Sequence, residues 1–249
     1  MSEINGDLRY RVGIDVGLKS IGFCAVEVDK DDQPIRLLNS MVFIHDAGVD
    51  PNENKAKSRK LTAGVARRIQ RRVRQNRRRL AELDRALSEE LNWPLPNLED
   101  FEDPYEPWHT RAELVDHYIE DESERLEALS IAIRHMARPR GWRNPYIKVE
   151  SLLTPMEPSE FLCRLNERVS EALGREFPAD ATPGQLISAY ISAPNYKETT
   201  GIRGDDGILQ GKLYQDDNAA EIRKICEVQR LDLDVFELLV RKVFFAKSP

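Results

Sequence analysis

Apolar and polar residues alternate at the start of the chain in a pattern that predicts β-strands. Val12, Ile14 and Val16 alternate with glycines and an aspartate, the run 21–28 is apolar on both faces, and another apolar run covers 35–44. Period-two alternation is typical of a strand, and a short continuous apolar run is typical of a buried central strand. We therefore predict three strands whose apolar faces need covering layers, which this segment does not itself supply.

After a polar linker at 46–58, apolar residues follow helical spacing. A long helix is predicted from about Arg59 to Leu91, with a thin apolar stripe along one side. The stripe consists of Val65, Ile69, Val73, Leu80, Leu83 and Leu87. Further helical regions are predicted at 111–138, where Pro139-Arg140-Gly141 ends the pattern, and at 158–173, 183–193 and 217–246. The fold class is therefore mixed and mostly α.

Charge is strongly segregated along the chain. The net charge is −6, yet residues 55–79 contain 12 Lys or Arg and no acid, and the remainder has 25 bases against 43 acids. A second stretch, 134–148, contains five bases and no acid. Such segregation indicates a directed electrostatic field and a polyanionic partner.

The arginines of the long helix form one ridge. Steps of four, three and four residues place Arg67, Arg71, Arg74 and Arg78 on one side of the helix, where like charges repel one another. A solvated surface helix usually mixes Glu with Lys, and a membrane-surface helix needs a large apolar face, so a phosphate partner is favoured. RNA is the expected partner, read through its backbone. The candidate residues on this helix are Arg59, Arg67, Arg68, Arg71, Arg72, Arg74, Arg77 and Arg78.

The second basic stretch interleaves arginines with aromatic residues. This arrangement suits irregular or single-stranded RNA, through phosphate contacts combined with stacking. The alternative is a helix end where basic residues are favoured by the helix dipole, followed by a core tryptophan. The candidate RNA-binding residues are Arg134, Arg138, Arg140, Trp142 and Arg143.

Asp15 is the candidate catalytic residue. It lies in the sequence Gly-Ile-Asp-Val-Gly, on the strand face opposite Ile14, with small neighbours that leave room for a cation and a phosphodiester. Such a carboxylate is either a Mg²⁺ ligand or a salt-bridged core residue. The motif occurs in nucleases and also in actin-like phosphotransferases, so by itself it does not choose the reaction.

The cysteines and the hydropathy indicate a compartment. Cys24, Cys163 and Cys226 lie far apart without metal-type spacing, so free and mostly buried thiols are expected. No apolar run approaches the roughly 20 residues of a membrane span. We expect a cytoplasmic protein without a membrane partner.

Three features in this order resemble the type II CRISPR effector endonucleases, the Cas9 family, and especially their compact II-C subtype. They are the Gly-Ile-Asp-Val-Gly strand pair, the arginine-rich helix, and the helix that ends in RHMARPRGWRNPY. The stretch YQDDNAAEIRKICEVQ and the closing FFAKSP add to the resemblance, which covers essentially the whole chain.

The resemblance implies an N-terminal portion of an RNA-guided DNA endonuclease. Residues 1–54 would be the first segment of a split ribonuclease H-like (RuvC) domain, 55–92 the bridge helix, and 93–249 the N-terminal part of the α-helical recognition lobe. Asp15 would be the first carboxylate of a two-Mg²⁺ site, and the partners would be guide RNA (crRNA:tracrRNA) and target DNA.

The family completes its RuvC centre with residues from later segments, which do not occur here, so the 249 residues alone are expected to be inactive. The rest of the same enzyme, or an inhibitor protein, is a further expected partner. Two alternatives stay open: a non-catalytic RNA-binding protein with a vestigial nuclease strand, and an actin-like phosphotransferase of the sugar-kinase type.

Overall fold

The computed structural model describes residues 8–17, 19–46, 48, 60–97, 101–143, 145–146, 148–194, 196, 201–203 and 207–245. The chain divides into two compact units, Met1–Arg72 and Val73–Pro249. The first unit contains a small sheet and the second is helical, which confirms a mixed, mostly α chain. The three domain boundaries expected from the sequence stay predictions.

The first unit contains the three predicted strands, as one antiparallel sheet in the order β1-β2-β3. The strands are β1 Tyr10–Val16, β2 Ser20–Val28 and β3 Pro34–Ile44. The first hairpin closes where the Gly17 N–H donates to the Ser20 carbonyl at 2.8 Å. In the second turn, Asp29 Oδ1 accepts the backbone N–H groups of Asp31 and Gln33 at 2.9 and 2.8 Å.

Both faces of this sheet carry exposed apolar side chains. Ile14 lies on one face and is 67% exposed, and Val42 lies on the other and is 66% exposed. Strand β2 is central, as predicted, but only Ala25 and Val28 are buried along it. The structure therefore agrees with the prediction that this segment does not cover the apolar faces of its own sheet.

The long helix is confirmed. Helix α1 runs over Lys60–Arg85 and continues into a π-helical turn at Ala86–Glu90, while the predicted first residue, Arg59, lies outside the described residues. Its apolar stripe has two different environments. The side chains of Val65, Ile69 and Val73 are exposed, whereas Leu80 is partly buried and Leu83 and Leu87 are buried.

The remaining helices of the described chain pack around two apolar clusters. They are α2 Glu106–Asp116, α3 Glu122–Ala137, α4 Glu160–Leu173, α5 Pro183–Ile191, α6 Gln215–Val228 and α7 Leu233–Phe244, with a 3₁₀ turn at Val149–Leu153. One cluster joins the end of α1 to α3, α6 and α7. The other is built mainly from α4, α5 and the segment before α6.

Two predicted helical regions are each divided into two helices. The region 111–138 is interrupted before α3, because Asp121 caps that helix by accepting the Glu124 N–H at 2.8 Å. The region 217–246 is interrupted after α6, where Arg230 has a positive φ of 56°. The chain turns there, and the Leu231 N–H donates to the Cys226 carbonyl at 2.8 Å.

The cysteines are free, as predicted, but their burial differs from the prediction. Only Cys226 is buried, Cys24 is half-buried and Cys163 is exposed on α4. Burial raises the pKa of the Cys226 thiol to about 12, so it behaves as a core residue. Among the helices in the described part of the chain, none is long and apolar enough to cross a membrane.

Candidate nucleic-acid interface

The arginine ridge of α1 is fully presented to solvent. Arg67, Arg71, Arg74 and Arg78 are all exposed and follow one side of a continuous helix. Among the residues that the structure describes, none of these four arginines forms an ion pair with a carboxylate. The flanking members Arg68, Arg72 and Arg77 are exposed as well. The helix therefore presents a row of guanidinium groups to solvent.

Arg79, the next residue after this ridge, has a different role. It is 5% exposed, and its Nη1 donates to the Ala137 carbonyl, the last residue of α3, at 2.5 Å. Burial, together with the neighbouring charge of Arg140, lowers the pKa of Arg79 to about 10. A cation at the C-terminus of a helix is favoured by the helix dipole. Arg79 thus fixes α1 against α3.

Arg134, a predicted RNA-binding residue, is held inside the protein. Its Nε lies 2.8 Å from Asp84 Oδ1 on α1, and its Nη1 donates to the Pro96 carbonyl. Both groups are partly buried. The alternative of a basic residue at a helix end fits Arg134 better, because its side chain joins α3 to the end of α1 and is not free in solvent.

The other arginines of the second motif lie just beyond α3. Arg138 follows the last residue of α3 and is exposed, and Arg143 is exposed three residues after Arg140. Arg140 is half-buried, has a φ of 49°, and has a pKa lowered by burial. Arg138 and Arg143 are thus solvent-accessible, whereas Arg140 between them is partly covered.

Trp142 is fixed by backbone contacts rather than buried in the core. Its N–H donates to the Leu213 carbonyl at 2.6 Å, and its carbonyl accepts the Gln215 N–H at 2.9 Å. The preceding Gly141 has a φ of 85°, and a Cβ there would meet the Leu213 carbonyl oxygen at 2.6 Å. The Trp142 ring lies 5.0 Å from that of Tyr214 and remains 42% exposed. The core-tryptophan alternative is therefore wrong.

A buried polar cluster between α2 and α6 was not predicted from the sequence. Arg111 Nε and Nη2 donate to Glu221 Oε1 and Oε2 at 2.6 and 2.9 Å, and both side chains are almost wholly buried. The Gly184 N–H donates to Glu221 Oε2 at 2.9 Å, and the Arg111 guanidinium lies 4.2 Å from the Trp108 ring centre. His135 packs edge-on against Trp108. Bidentate pairing neutralises this arginine.

Asp15 is exposed on β1, on the sheet face opposite Ile14, and it pairs in register with Gly22. In the part of the chain that the structure describes, Asp15 forms no salt bridge, and the choice between a metal ligand and a salt-bridged core residue stays a prediction. Among the described residues, no group of three or more His, Cys, Asp or Glu side chains could hold a metal ion. A single carboxylate does not fit a two-Mg²⁺ site, so these residues alone do not form one.

Comparisons with known proteins agree with one another. No protein-family model matches the chain. It is 44% identical over 243 residues to the CRISPR-associated endonuclease Cas9 of Corynebacterium diphtheriae, covering 97% of this chain and 22% of that protein. It is also 44% identical over 246 residues to Cas9 of Actinomyces naeslundii, covering 96% of this chain and 22% of that protein. The chain thus spans about a fifth of these relatives' length.

Solved structures give the same family. The C. diphtheriae Cas9 complex with sgRNA and target DNA matches 98% of this chain and 28% of that chain, at 42% identity and a TM-score of 0.75. Campylobacter jejuni Cas9, in complex with sgRNA and target DNA, matches 97% of this chain and 30% of that chain at 17% identity and a TM-score of 0.52, which supports the fold. Over nearly all of its 249 residues, the chain is similar to CRISPR-associated endonucleases named Cas9.

Proposed function

We propose that this chain is the guide-RNA-gripping part of an RNA-guided DNA endonuclease. The observation that carries the proposal is the exposed ridge of Arg67, Arg71, Arg74 and Arg78 on a helix whose other end is anchored in a core. A row of like charges at helical spacing costs a few tenths of a kcal/mol per pair without a counter-charge. A ribose-phosphate backbone supplies that counter-charge at regular intervals.

Arginine is also well suited to a row of phosphates. Its planar guanidinium donates two parallel hydrogen bonds to phosphate oxygens, and a rigid helix holds several such groups at fixed separations. The ridge offers few side chains for reading base edges, so α1 follows the geometry of the RNA rather than its sequence. The related C. diphtheriae protein was solved with sgRNA and target DNA, which fits crRNA:tracrRNA and target DNA as partners here.

The rest of the proposed organisation follows from the family. The sheet at 10–44 would be the first RuvC segment, α1 the bridge helix, and the helices after residue 93 the start of the recognition lobe. The uncovered apolar faces of the sheet fit a domain that is completed by other parts of the enzyme. The relatives are endonucleases, which disfavours the phosphotransferase alternative.

In the complete enzyme, Asp15 would serve as one Mg²⁺ ligand for cutting a DNA strand. Bound metal ions would supply an activated water and stabilise the leaving oxygen. Asp15 is exposed between small neighbours, so a second set of carboxylates can approach it. The 249 residues offer one such ligand in their described part, so we propose that this chain cuts nothing alone.

The binding proposal is tested with the isolated 249-residue chain and a structured guide RNA. We expect tight binding at low salt that weakens about a thousandfold or more between 50 and 200 mM salt, because many phosphates are neutralised. No cleavage of duplex DNA is expected when Mg²⁺ is added. Binding that ignores salt, or no binding at all, would contradict the proposal.

The catalytic proposal is tested in the complete enzyme by Asp15→Ala. We expect loss of cleavage of one DNA strand, while guide-RNA binding stays within a factor of two. Asp31→Ala is the matched control, because Asp31 is also an exposed aspartate in the same sheet unit and its side chain contacts no ridge residue. Cleavage that survives Asp15→Ala would remove Asp15 from the catalytic site.

A further inference from the structure

A cavity of about 460 Å³ opens beside the second basic motif, within the helical unit. Its wall includes Trp108, Trp142, Arg143, Arg203, Lys212 and Gln215. These residues come from α2, the turn after α3, the segment before α6, and α6 itself. The volume lies in the range of small-ligand pockets, roughly 300 to 1,000 Å³.

The charge of this cavity is unusual for an acidic chain. Arg143, Arg203 and Lys212 are exposed cations at its wall, and Arg111, which also lines it, is paired with Glu221. No residue of the described chain that lines the cavity is acidic. Three cations around a concave surface focus a positive field, so an anionic ligand is attracted to its rim.

The same cavity also has groups suited to a flat ring. Trp142 exposes 42% of its surface and is held in place by backbone hydrogen bonds on both sides of the residue. Gln215 carries an amide with both a donor and an acceptor. Its Oε1 is buried and has no hydrogen-bond partner in the described part of the protein. An amide oxygen without a partner at the cavity wall is suited to accept a hydrogen bond from the edge of a heterocycle.

We propose that this cavity binds one nucleotide of the guide RNA that is displaced from the base stack. The base stacks on Trp142 with its edge near Gln215, and the phosphates on either side contact Arg143, Arg203 and Lys212. Unstacked bases in RNA are commonly recognised by stacking on aromatic rings together with contacts to their edges. The inference rests on the proposed function. It adds a site for one nucleotide to the contacts with RNA phosphates that are proposed for α1.

The test uses two RNA hairpins of identical stem, one fully paired and one with a single bulged nucleotide carrying 2-aminopurine. The 249-residue chain should bind the bulged hairpin about tenfold more tightly and quench the fluorescence of its 2-aminopurine. Trp142→Ala should abolish the preference and the quenching, whereas Trp142→Phe should keep most of both. Lys212→Gln should weaken binding of the bulged hairpin more than its control Lys148→Gln, an exposed lysine that does not line the cavity.

The outcomes separate the two proposals. Equal, salt-sensitive binding of both hairpins would overturn the nucleotide site and leave the arginine ridge intact, while no binding of either would overturn both. A preference that survives Trp142→Ala would also overturn the site. Adenosine monophosphate is the third probe, because a free nucleotide has the same chemistry as a displaced one. Competition by the monophosphate at the concentrations at which the hairpin binds would assign the cavity to free nucleotides and overturn the RNA proposal.

Discussion

The two parts of helix α1 share one sequence pattern but have opposite environments. In the first part, the apolar residues Val65, Ile69 and Val73 are exposed together with the arginine ridge. In the second part, Leu83 is almost wholly buried in a core with α3 and α7, as is Leu87 in the π-helical turn that continues the helix. The comparison shows that apolar spacing predicts the helix but does not predict which turns pack against the protein.

Arginine changes its role along the same helix. Arg71 lies on the exposed ridge, while Arg79, two turns later, is buried and bonded to the end of α3. Burial thus turns one arginine into a link between two helices and leaves the other in solvent.

The largest expected difference concerns the apolar stripe. Leu83→Ala should lower the free energy of unfolding by about 3 kcal/mol, because it leaves a cavity in a packed core. Ile69→Ala, its counterpart in the exposed part, should change it by less than about 0.5 kcal/mol. Urea unfolding followed by circular dichroism measures both. Equal effects would mean that the two parts are equally packed.

A smaller difference is expected for the arginines. Arg79→Ala should lower the free energy of unfolding by about 2 kcal/mol, because the Ala137 carbonyl loses a charged donor. Arg71→Ala should leave stability within about 0.5 kcal/mol of the parent. The same unfolding measurement checks the pair. If Arg79→Ala were harmless, Arg79 would not anchor α1.

The smallest effect concerns acidification of the anchored part. Burial, followed by the charges of Arg111, Arg138 and Arg203, lowers the pKa of His135 well below 6.5. The unfolded chain then binds a proton that the folded chain does not, so stability falls as pH drops below 6.5, by at most about 1.4 kcal/mol per pH unit. Urea unfolding at pH 7.5, 6.5 and 5.5 should show this slope. His135→Gln should flatten it, and the exposed His117→Gln should not.

Local sequence patterns predicted most of the secondary structure. Alternation predicted the strands of 10–44, and apolar spacing predicted α1, because both signals depend on near neighbours. The breaks before α3 and after α6 were missed because Asp121 and Arg230 interrupt the helices without disturbing the apolar spacing around them. Those breaks depend on caps and turns that weigh little in a hydropathy pattern.

The candidate interface was only partly predictable, for a different physical reason. The ridge follows from helical spacing alone, whereas Arg134 looked equivalent and is in fact paired with Asp84, 50 residues away. The buried Arg111–Glu221 pair joins positions 110 residues apart. No local pattern indicates such partners, since they depend on how the helices pack.

The central claim is that the α1 ridge meets RNA phosphates, and the salt dependence of guide-RNA binding tests it most directly. Two fourfold Arg→Ala variants of equal net charge are compared with the parent chain. The ridge variant replaces Arg67, Arg71, Arg74 and Arg78. The control variant replaces four arginines outside both basic stretches, on α4, just after it and on α7: Arg164, Arg168, Arg175 and Arg241. We predict that the slope of log K against log salt falls by about three in the ridge variant, roughly 0.7 to 0.9 per lost contact, and is unchanged in the control. A ridge variant that keeps the parent's affinity and slope would contradict the account.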